Sequence, residues 1–410
     1  MDKGLLKHIA SVLIATLAFS GCLEIPQAYS DIRKVNVKLV WPEGYESYVE
    51  EGVKVSVQNI LNGSASEALT DGGGNATLSL PDGMYLVSAT EKKGSRIFNG
   101  TIDKILVSGD TDIDLPLDVS EGGTIVIKEI YVGGCSMAPK EGTYQADKYV
   151  ILHNNSDRTV HLDSLCLGTA SPYNSTASNP WTSYDAGGRT FVPVIQAVWQ
   201  VGGDGTTFPL APGQDAVICI NGAIDHTVNV PLSVNLNNPD YFVCYNNSSF
   251  PNPAYHPAPG DLIRKERILN LVIKTGIANA YTVSISSPVI VVFKARGTTI
   301  QEFVAPSGSS SGSENVIQIP GSTNDYVVTV PVDWIIDGVE VFDGRSSSNT
   351  KRLMATVDAG TVFQSDVFKG HSLFRKTDEE ASALAGYEVL QDTNNSTNDF
   401  YERSTQSLHE

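Results

Sequence analysis

The chain has 410 residues and a formal net charge of −18, from 46 acidic and 28 basic side chains. This length exceeds what one small hydrophobic core requires, so two or more domains are expected. The shortage of Lys and Arg excludes a broad nucleic-acid interface, because neutralising phosphate groups needs clustered cations. It also excludes purely electrostatic attachment to an anionic membrane surface.

The N-terminus carries an export signal. Lys3 and Lys7 precede an apolar stretch from Ile9 to Phe19, which is too short for a stable membrane-spanning helix. The stretch continues into "LAFSGC", which ends at Cys22 and resembles a bacterial lipobox. The resemblance implies that residues 1–21 are removed, that Cys22 is acylated, and that residues 22–34 form a lipidated linker to a membrane. An ordinary signal peptide that happens to contain Cys22 is the alternative.

Residues 35–119 are predicted to form a small β-sandwich. "VNVKLVW" (Val35–Trp41) and "VKVSVQNI" (Val53–Ile60) alternate apolar and polar side chains, which is typical of half-buried strands. Within this segment, "LTDGGGNATLSLPDGMYLVSA" (Leu69–Ala89) resembles the small transthyretin-like modules found beside carboxypeptidases and outer-membrane receptors. The resemblance implies a spacer or docking unit rather than a catalytic one.

A Glu-Gly-Gly turn at residues 121–123 separates this module from a second domain, predicted over residues 124–405. "IKEI" (Ile127–Ile130) and "ILHNN" (Ile151–Asn155) resemble the first strands of lamin-tail-type domains of bacterial surface and secreted proteins. At Tyr149-Val150 many such proteins carry Tyr-Ile-Glu, and the acidic residue is missing from this chain. The expected fold class is therefore all-β, with a transthyretin-like sandwich followed by a larger lamin-tail-like sandwich that carries long loop insertions.

The end of the chain contains "DTNNST" (Asp392–Thr397) followed by Asp399 and Phe400, which resembles the last strands of lamin-tail-like chains. We therefore expect Asx and Ser turns here, with Phe400 in the core. A calcium loop is the alternative, because Asp392, Asn394 and Ser396 alternate. The sixth position lacks Gly and the twelfth is Arg403, so no metal site is predicted.

One short helix is predicted in "TDEEASALAG" (Thr377–Gly386). Thr377 is the expected N-cap and Glu380 its capping-box partner. Gly386 is the expected stop, since Gly tolerates the left-handed conformation that ends many helices.

Four cysteines remain if Cys22 is lipidated. An even number in an oxidising compartment permits two disulfides, and the order along the chain favours Cys135 with Cys166 and Cys219 with Cys244. Four buried free thiols are the alternative. No C-x-x-C pair occurs and no closely spaced His residues accompany these cysteines, so neither a zinc site nor a cofactor is predicted.

Aromatic residues are concentrated between residues 173 and 256, among Asn, Pro, Gly and Ser. Such loops can present flat amphipathic rings to a sugar, a peptide or a protein partner. Trp199 and Phe208 lie in apolar surroundings and are predicted to be core residues. The candidates for a binding surface are Tyr173, Trp181, Tyr184, Phe250 and Tyr255.

No catalytic motif is present: the chain has no G-x-S-x-G elbow, no H-E-x-x-H and no Walker loop. We therefore predict that the protein is not an enzyme. A secreted hydrolase with an unrecognised carboxylate pair is one alternative, and a structural component of the cell envelope is another.

Taken together, the lipobox and the two β-modules resemble an uncharacterised family of surface or periplasmic lipoproteins of Bacteroidota. The resemblance implies a location in the cell envelope, lipid-anchored and on either face of the outer membrane. It further implies binding of a surface ligand, glycan or protein, or service to a TonB-dependent outer-membrane receptor.

Overall fold

The structure is a computed structural model that describes residues 31–48, 51–93, 96–306 and 312–409. The predicted signal segment and Cys22 lie outside the described residues. Strands dominate, which confirms the predicted all-β fold class. The α-helices of the described part are α1 (Thr182–Ala186), α2 (Ile300–Val304), α3 (Glu379–Ala385) and α4 (Ser396–Asp399). No described helix has both the length and the apolar character needed to cross a membrane.

The first part of the chain, residues 31–121, is a two-sheet sandwich that we term the N-terminal module. A three-stranded sheet in the order β4-β1-β7 faces a five-stranded sheet in the order β3-β2-β5-β6-β8. In β4 every second side chain is buried, so the period-two pattern places one face in the core. Its strands are β1 (Ile32–Val40), β2 (Lys54–Asn59), β3 (Ala65–Leu69), β4 (Asn75–Pro81), β5 (Gly83–Lys93), β6 (Arg96–Val107), β7 (Thr111–Pro116) and β8 (Asp118–Glu121).

Residues 124–409 form the C-terminal domain, whose two large sheets enclose the main core. The first half of its strands are β9 (Ile125–Tyr131), β10 (Cys135–Ser136), β11 (Thr143–Tyr144), β12 (Tyr149–Asn154), β13 (Val160–His161), β14 (Cys166–Ala170), β15 (Phe191–Gln200), β16 (Pro209–Leu210) and β17 (Asp215–Cys219). The second half are β18 (Phe242–Val243), β19 (Asn270–Lys274), β20 (Val289–Phe293), β21 (Val316–Gln318), β22 (Tyr326–Pro331), β23 (Ile335–Asp343), β24 (Val362–Gln364), β25 (Ser372–Arg375) and β26 (Phe400–Arg403).

A six-stranded sheet in the order β18-β17-β12-β9-β25-β26 packs against an eight-stranded sheet. The eight-stranded sheet runs β21-β22-β15-β14-β20-β23-β24, with β19 added beside β15. Val150 of the first sheet and Val292 of the second meet in the core between them. Trp199 and Phe208 belong to the same core, which confirms the prediction for both residues.

The segment Asp392–Ser396, which we term the junction segment, closes the fold as expected. Phe400, just beyond it, is buried in the main core, which confirms its predicted role. The junction segment also binds the N-terminal module and the turn that follows it, which the sequence did not reveal. Its contacts are Asn99 Nδ2 to the Thr393 carbonyl at 2.9 Å, Asn394 Nδ2 to Ser120 Oγ at 2.9 Å, Asn395 Nδ2 to Thr90 Oγ1 at 2.8 Å, and Gly123 N to Asp392 Oδ2 at 2.7 Å.

The junction segment contacts a buried arginine, Arg375. The Arg375 guanidinium lies 2.5 Å from an oxygen of Asp337, 3.3 Å from Asp392 and 3.5 Å from Asp399, and all four side chains are buried. Because burial disfavours the charged form, the pKa of Asp337 rises to about 7 and that of Asp399 to about 6, despite the nearby guanidinium. Asp392 accepts hydrogen bonds from the Arg375 side chain and the Gly123 backbone, and Asn394 donates one to Ser120. The side chains of Asp392 and Asn394 therefore do not converge on one point, as the ligands in a calcium loop would.

Helix α3 begins one residue later than predicted. Asp378, not Thr377, is the N-cap, and its carboxylate accepts the backbone N–H of Ala381 at 2.9 Å. Thr377 instead forms an isolated antiparallel bridge with Leu390, which keeps it extended. Gly386 ends the helix with φ +77°, as predicted.

Candidate binding cleft

The candidate site lies where the long strand β15 changes partner. Along one edge, β15 pairs with β14 over both of its halves. Along the other, residues Phe191–Val194 pair with β22 and residues Ala197–Gln200 pair with β19. The change occurs at Gln196, which has φ +64°, a conformation that a residue other than Gly seldom adopts. The sheet is therefore split between β19 and β22, with Gln196 at the split.

Backbone hydrogen bonds close the split itself. The Gln196 carbonyl accepts the N–H of Thr275 at 3.0 Å, and the Thr275 carbonyl accepts the N–H of Tyr326 at 3.0 Å. The chain between these points leaves the sheet, and three loops rise around the split. They comprise residues 171–180, 275–278 and 319–326, and they enclose a cleft of about 610 Å³ with Ile195 and Gln196 in its lining. This volume falls within the range of ordinary small-molecule sites.

The lining is mostly apolar, with exposed flat or branched side chains at its rim. Ile277 is 79% exposed and Tyr326 is 41% exposed, so both present apolar surface at the mouth of the cleft. Tyr173 is half-buried, and its hydroxyl lies 3.1 Å from Thr282 Oγ1, which fixes the ring. The remaining rings of the lining are prolines, at positions Pro172, Pro180 and Pro320.

The polar groups of the cleft are few and almost all neutral. Thr275 is only 6% exposed, and its hydroxyl has no hydrogen-bond partner within the described structure. The Gln196 side-chain carbonyl accepts the N–H of Thr282 at 3.4 Å. Asp325 is the one carboxylate in the lining, and it accepts the Ser322 hydroxyl at 3.0 Å. The lining contains no Lys, Arg or His, so it favours a ligand without negative charge.

A buried ion pair supports the wall that carries Tyr173. Arg352 and Glu340 are both fully buried, with 2.8 Å between Nε and Oε1. Arg352 Nη1 also donates to the carbonyl of Pro172 at 3.1 Å and to that of Ser287 at 3.0 Å. The position of Tyr173 therefore depends on a charged group in the core below it.

Trp181 lies in the core beneath the cleft, so its prediction as an exposed binding residue is wrong. It is 1% exposed and packs with Ile195 and Val327. Its ring makes edge contacts with Tyr184 and Phe191 at centroid distances of 5.5 Å and 6.0 Å. The large area of an indole makes burial the more stable arrangement where the loop can fold over it.

Phe250 is also a core residue, against the prediction. It is buried beside Trp199, at a ring-centroid distance of 5.9 Å. Its loop can turn inward because Asn246 Oδ1 accepts the backbone N–H of Ser249 at 3.0 Å, which satisfies a polar group locally. Tyr184 and Tyr255 are exposed but do not line the cleft.

Of the five predicted aromatic residues, only Tyr173 lines the cleft. The other lining residues were not predicted, and they come from three distant parts of the chain: Gln196, Thr275 with Ile277, and Tyr326. No local motif marks them. Only the strand pairing that splits β15 brings them together.

The predicted disulfides are wrong: Cys135, Cys166, Cys219 and Cys244 are buried free thiols. Cys219 and Cys244 lie on neighbouring strand segments, but Cys219 pairs in register with Val243. Consecutive side chains point to opposite faces, so Cys219 and Cys244 enter different core clusters. Burial raises the pKa of Cys166 to about 12 and that of Cys135 to about 12, which disfavours the reactive thiolate form.

One group of side chains has the composition of a metal site. His153, Asp215 and Glu388 bring potential ligand atoms within 4.8 Å of one another. The His153 ring nitrogens already contact Asp215 Oδ1 at 2.6 Å and the Glu388 carbonyl at 2.9 Å. Lys128 Nζ lies 2.8 Å from Asp215 and 2.6 Å from Glu388, so an ammonium already neutralises both carboxylates. The arrangement is that of an ion-pair cluster.

Residues 211–407 match a family described as "Protein of unknown function (DUF4876)". Among solved structures, a DUF4876 family protein from Bacteroides thetaiotaomicron VPI-5482 aligns at 22% identity with a TM-score of 0.57, covering 90% of this chain and 94% of that one. A DUF3823 family protein from Parabacteroides merdae ATCC 43184 aligns at 12% identity and a TM-score of 0.18, over 34% of this chain and 67% of that one. No curated protein matches the chain.

The alignment with the Bacteroides thetaiotaomicron protein extends over both the N-terminal module and the C-terminal domain, and at this level of identity it shows a common fold. The family match adds an independent relationship at the level of sequence. It begins after β16 and includes two of the three loops around the cleft, as well as the junction segment. The chain thus shares its all-β fold with that protein, and its residues 211–407 are similar to the DUF4876 family.

Proposed function

We propose that this protein is a non-enzymatic, lipid-anchored protein of the cell envelope that binds an external ligand in the cleft at the split of β15. The observation that carries the proposal is the cleft itself. It has about 610 Å³ of space, exposed Ile277 and Tyr326 at its rim, and the polar side chains of Gln196 and Ser322 in its lining. An apolar cavity with a few directed polar groups is the usual form of a small-ligand site.

The composition of the cleft favours binding over catalysis. General acid–base chemistry needs a proton donor and acceptor of matched pKa, and nucleophilic catalysis needs a nucleophile beside a base. Among the residues that line the cleft, Asp325 is the one carboxylate, and none is His, Cys or Lys. A pair of carboxylates for a hydrolase is therefore not available in this lining.

In the proposed function, the lipid anchors the protein and the N-terminal module acts as a spacer. With its transthyretin-like sequence, the module serves as a spacer between the acylated Cys22 and the lamin-tail-like C-terminal domain. The junction segment ties the module to that domain through hydrogen bonds from both sides. The cleft would thus be held at a set distance from the outer membrane, where a TonB-dependent receptor could receive the ligand.

Substituting Cys22 by Ser is expected to release the protein into the soluble fraction or to leave an uncleaved precursor, because the thiol that takes the lipid is lost. Membrane fractionation with an immunoblot for size measures the result. Ser30→Ala, in the predicted linker, is the matched control and should stay with the membrane. A Cys22→Ser protein of processed size in the membrane fraction would contradict the lipid anchor.

Ligand binding in the cleft is expected to depend on Ile277. Thermal unfolding of the purified soluble protein, residues 31–410, is followed with neutral oligosaccharides and with uncharged hexapeptides as probes. A probe that binds the folded state raises Tm, and the rise grows with the logarithm of one plus its concentration over Kd. Ile277→Glu places a charge at the apolar rim and should abolish the rise. Leu384→Glu, equally exposed on α3 but outside the lining, should retain it.

The proposal fails if no probe of either class raises Tm. It also fails if the rise survives in Ile277→Glu, because the ligand would then bind elsewhere on the protein.

A further inference from the structure

We propose that His153 is a proton-dependent latch. It holds residues 377–390, which include helix α3 and which we term the α3 arm, against the six-stranded sheet while its ring carries two protons. Loss of one proton releases the arm. His153 and the α3 arm lie outside the lining of the cleft, so the latch is independent of the function proposed above.

The α3 arm is closed on itself. Where it leaves and rejoins the rest of the domain, the N–H of Gln391 donates to the carbonyl of Lys376 at 2.8 Å. Further out, the N–H of Asp378 donates to the carbonyl of Val389 at 2.8 Å, and the N–H of Val389 donates to the Ser382 hydroxyl oxygen at 2.8 Å. These bonds do not involve the sheet, so the arm can keep its own structure when it separates from the sheet.

The α3 arm is attached to the sheet mainly by polar contacts. Leu390 is its one buried residue, and Leu384 on the helix is 84% exposed. Asn155, just beyond β12, donates from Nδ2 to the Leu390 carbonyl at 2.9 Å and accepts the Leu390 N–H at 2.6 Å. The Tyr387 hydroxyl donates to the Ser156 carbonyl at 3.2 Å. A segment that buries so little apolar surface opens at a small cost in free energy, so one further bond can decide its position.

His153 supplies that further bond, and both of its ring nitrogens face acceptors. The ring is fully buried on β12, with Nδ1 2.6 Å from Oδ1 of Asp215 and Nε2 2.9 Å from the carbonyl oxygen of Glu388 in the arm. A backbone carbonyl and an ionised carboxylate accept hydrogen bonds but cannot donate them. Both nitrogens must therefore carry a proton, so His153 is an imidazolium that bridges the sheet and the α3 arm.

The charged groups around the ring come from three elements: Lys128 on β9, Asp215 on β17 and Glu388 on the arm itself. Burial by itself raises the pKa of Asp215, but hydrogen bonds from His153 and Lys128 outweigh it and hold that pKa below its ordinary value. Burial by itself lowers the pKa of Lys128, but hydrogen bonds to Asp215 and Glu388 hold that pKa above its ordinary value. Asp215 and Lys128 therefore keep their charges between about pH 5 and pH 9.

Deprotonation of His153 removes one of its two bonds. Histidine is the side chain whose charge changes near neutral pH, and its neutral ring has one N–H and one lone pair. The N–H remains with the Asp215 carboxylate, because a charged acceptor makes the stronger bond. The lone pair of Nε2 then faces the Glu388 carbonyl, where both atoms are acceptors. The closed arm is therefore stabilised at low pH and loses this contribution as the pH rises through the titration of His153.

Hydrogen–deuterium exchange of the soluble protein between pH 5 and pH 9 measures opening of the α3 arm. The reporter is the Leu390 amide, which bonds Asn155 on the sheet. After correction for the intrinsic exchange rate at each pH, it should exchange about tenfold faster at pH 9 than at pH 5. Tenfold is about 1.4 kcal/mol, close to the lower limit for a hydrogen bond with a charged group. The Phe303 amide in α2 is the internal control and should not change.

NMR titration of protein labelled with ¹⁵N-histidine measures the ring itself. We expect both nitrogens of His153 to carry protons at pH 5, and one of them to lose its proton at the pH where Leu390 exchange rises. This comparison uses the wild type alone, so it stands whether or not a variant folds. In His153→Gln, which cannot titrate, Leu390 exchange should be equal at pH 5 and pH 9. His161→Gln is the matched control, because His161 is exposed on β13, and it should keep the pH dependence.

Four results would overturn the latch. A ring nitrogen of His153 without a proton at pH 5 contradicts the bridge between sheet and arm. Two protons retained up to pH 9 mean that the latch never opens in this range. Deprotonation of His153 without a change in Leu390 exchange means that the ring does not hold the arm. Exchange that still depends on pH in His153→Gln assigns the switch to another group.

Discussion

Substituting Arg375 by Met is expected to lower the free energy of unfolding by about 3–5 kcal/mol, because it leaves buried carboxylates without their cation. The guanidinium contacts Asp337, Asp392 and Asp399, none of which can reach solvent. Met fills a similar volume, so the loss reports charge rather than a cavity. Urea unfolding at pH 7 measures the difference between the two proteins.

The pH dependence of the loss identifies its cause. In the wild type, the pKa values of Asp337 and Asp399 are already raised, to about 7 and about 6. In the folded protein, the carboxylates of Asp337 and Asp399 therefore bind protons more readily than they do in the unfolded chain. The stability that these two groups contribute is lost as the pH rises through their raised pKa values. Without Arg375 both pKa values rise further, so the deficit of Arg375→Met should be larger at pH 8 than at pH 5.

Arg345→Met is the matched control for this prediction. Arg345 also contacts a carboxylate, with 3.0 Å between its Nη2 and Asp343 Oδ2, but its side chain is 47% exposed. Such surface pairs contribute about 0–1 kcal/mol. A loss from Arg375→Met no larger than that from Arg345→Met would contradict the role assigned to the buried cluster.

Trp181→Ala is expected to lower the free energy of unfolding by about 3–5 kcal/mol, since it leaves a cavity where a buried indole packs against Ile195 and Val327. Chemical denaturation followed by far-UV circular dichroism measures the loss. Tyr184→Ala removes the exposed ring that contacts Trp181 and should cost far less. If Trp181→Ala were as stable as the wild type and lost only ligand binding, Trp181 would be a binding residue after all.

The fold class could be predicted because its signals are local. Each of these signals determines the structure of only the few residues around it. Examples are the alternation of buried and exposed side chains in β4, the turn residues beside it, and Gly386 after α3. Phe400 could be predicted because the run before it, Asp392–Thr397, resembles the last strands of lamin-tail-like chains. Local preference and final structure agree at these positions, as they do in most of a stable protein.

The cleft could not be predicted, because no short stretch of sequence contains it. Its lining joins Tyr173, Gln196, Thr275 and Tyr326 through the pairing of β15 with two successive strands. The aromatic loops were interpreted wrongly for the opposite reason. Their polar composition indicated exposure, yet Asn side chains satisfy the backbone within the loop and leave Trp181 and Phe250 free to enter the core.

The two bodies of the protein are joined by the chain itself and by hydrogen bonds from two stretches of the C-terminal domain. Residues 350–361 form one stretch, with Lys104 Nζ 2.6 Å from Thr350 Oγ1 and Thr361 Oγ1 3.2 Å from Gln58 Oε1. The chain passes from one to the other at residues 121–123, and the junction segment returns from the far end of the sequence to bond Asn99, Ser120 and Thr90. Tension between the N-terminal module and the C-terminal domain is therefore shared between a covalent strand and a group of hydrogen bonds that must break together. Under the proposed function, a pull on a ligand in the cleft would therefore load the covalent strand and these hydrogen bonds together, rather than residues 121–123 alone.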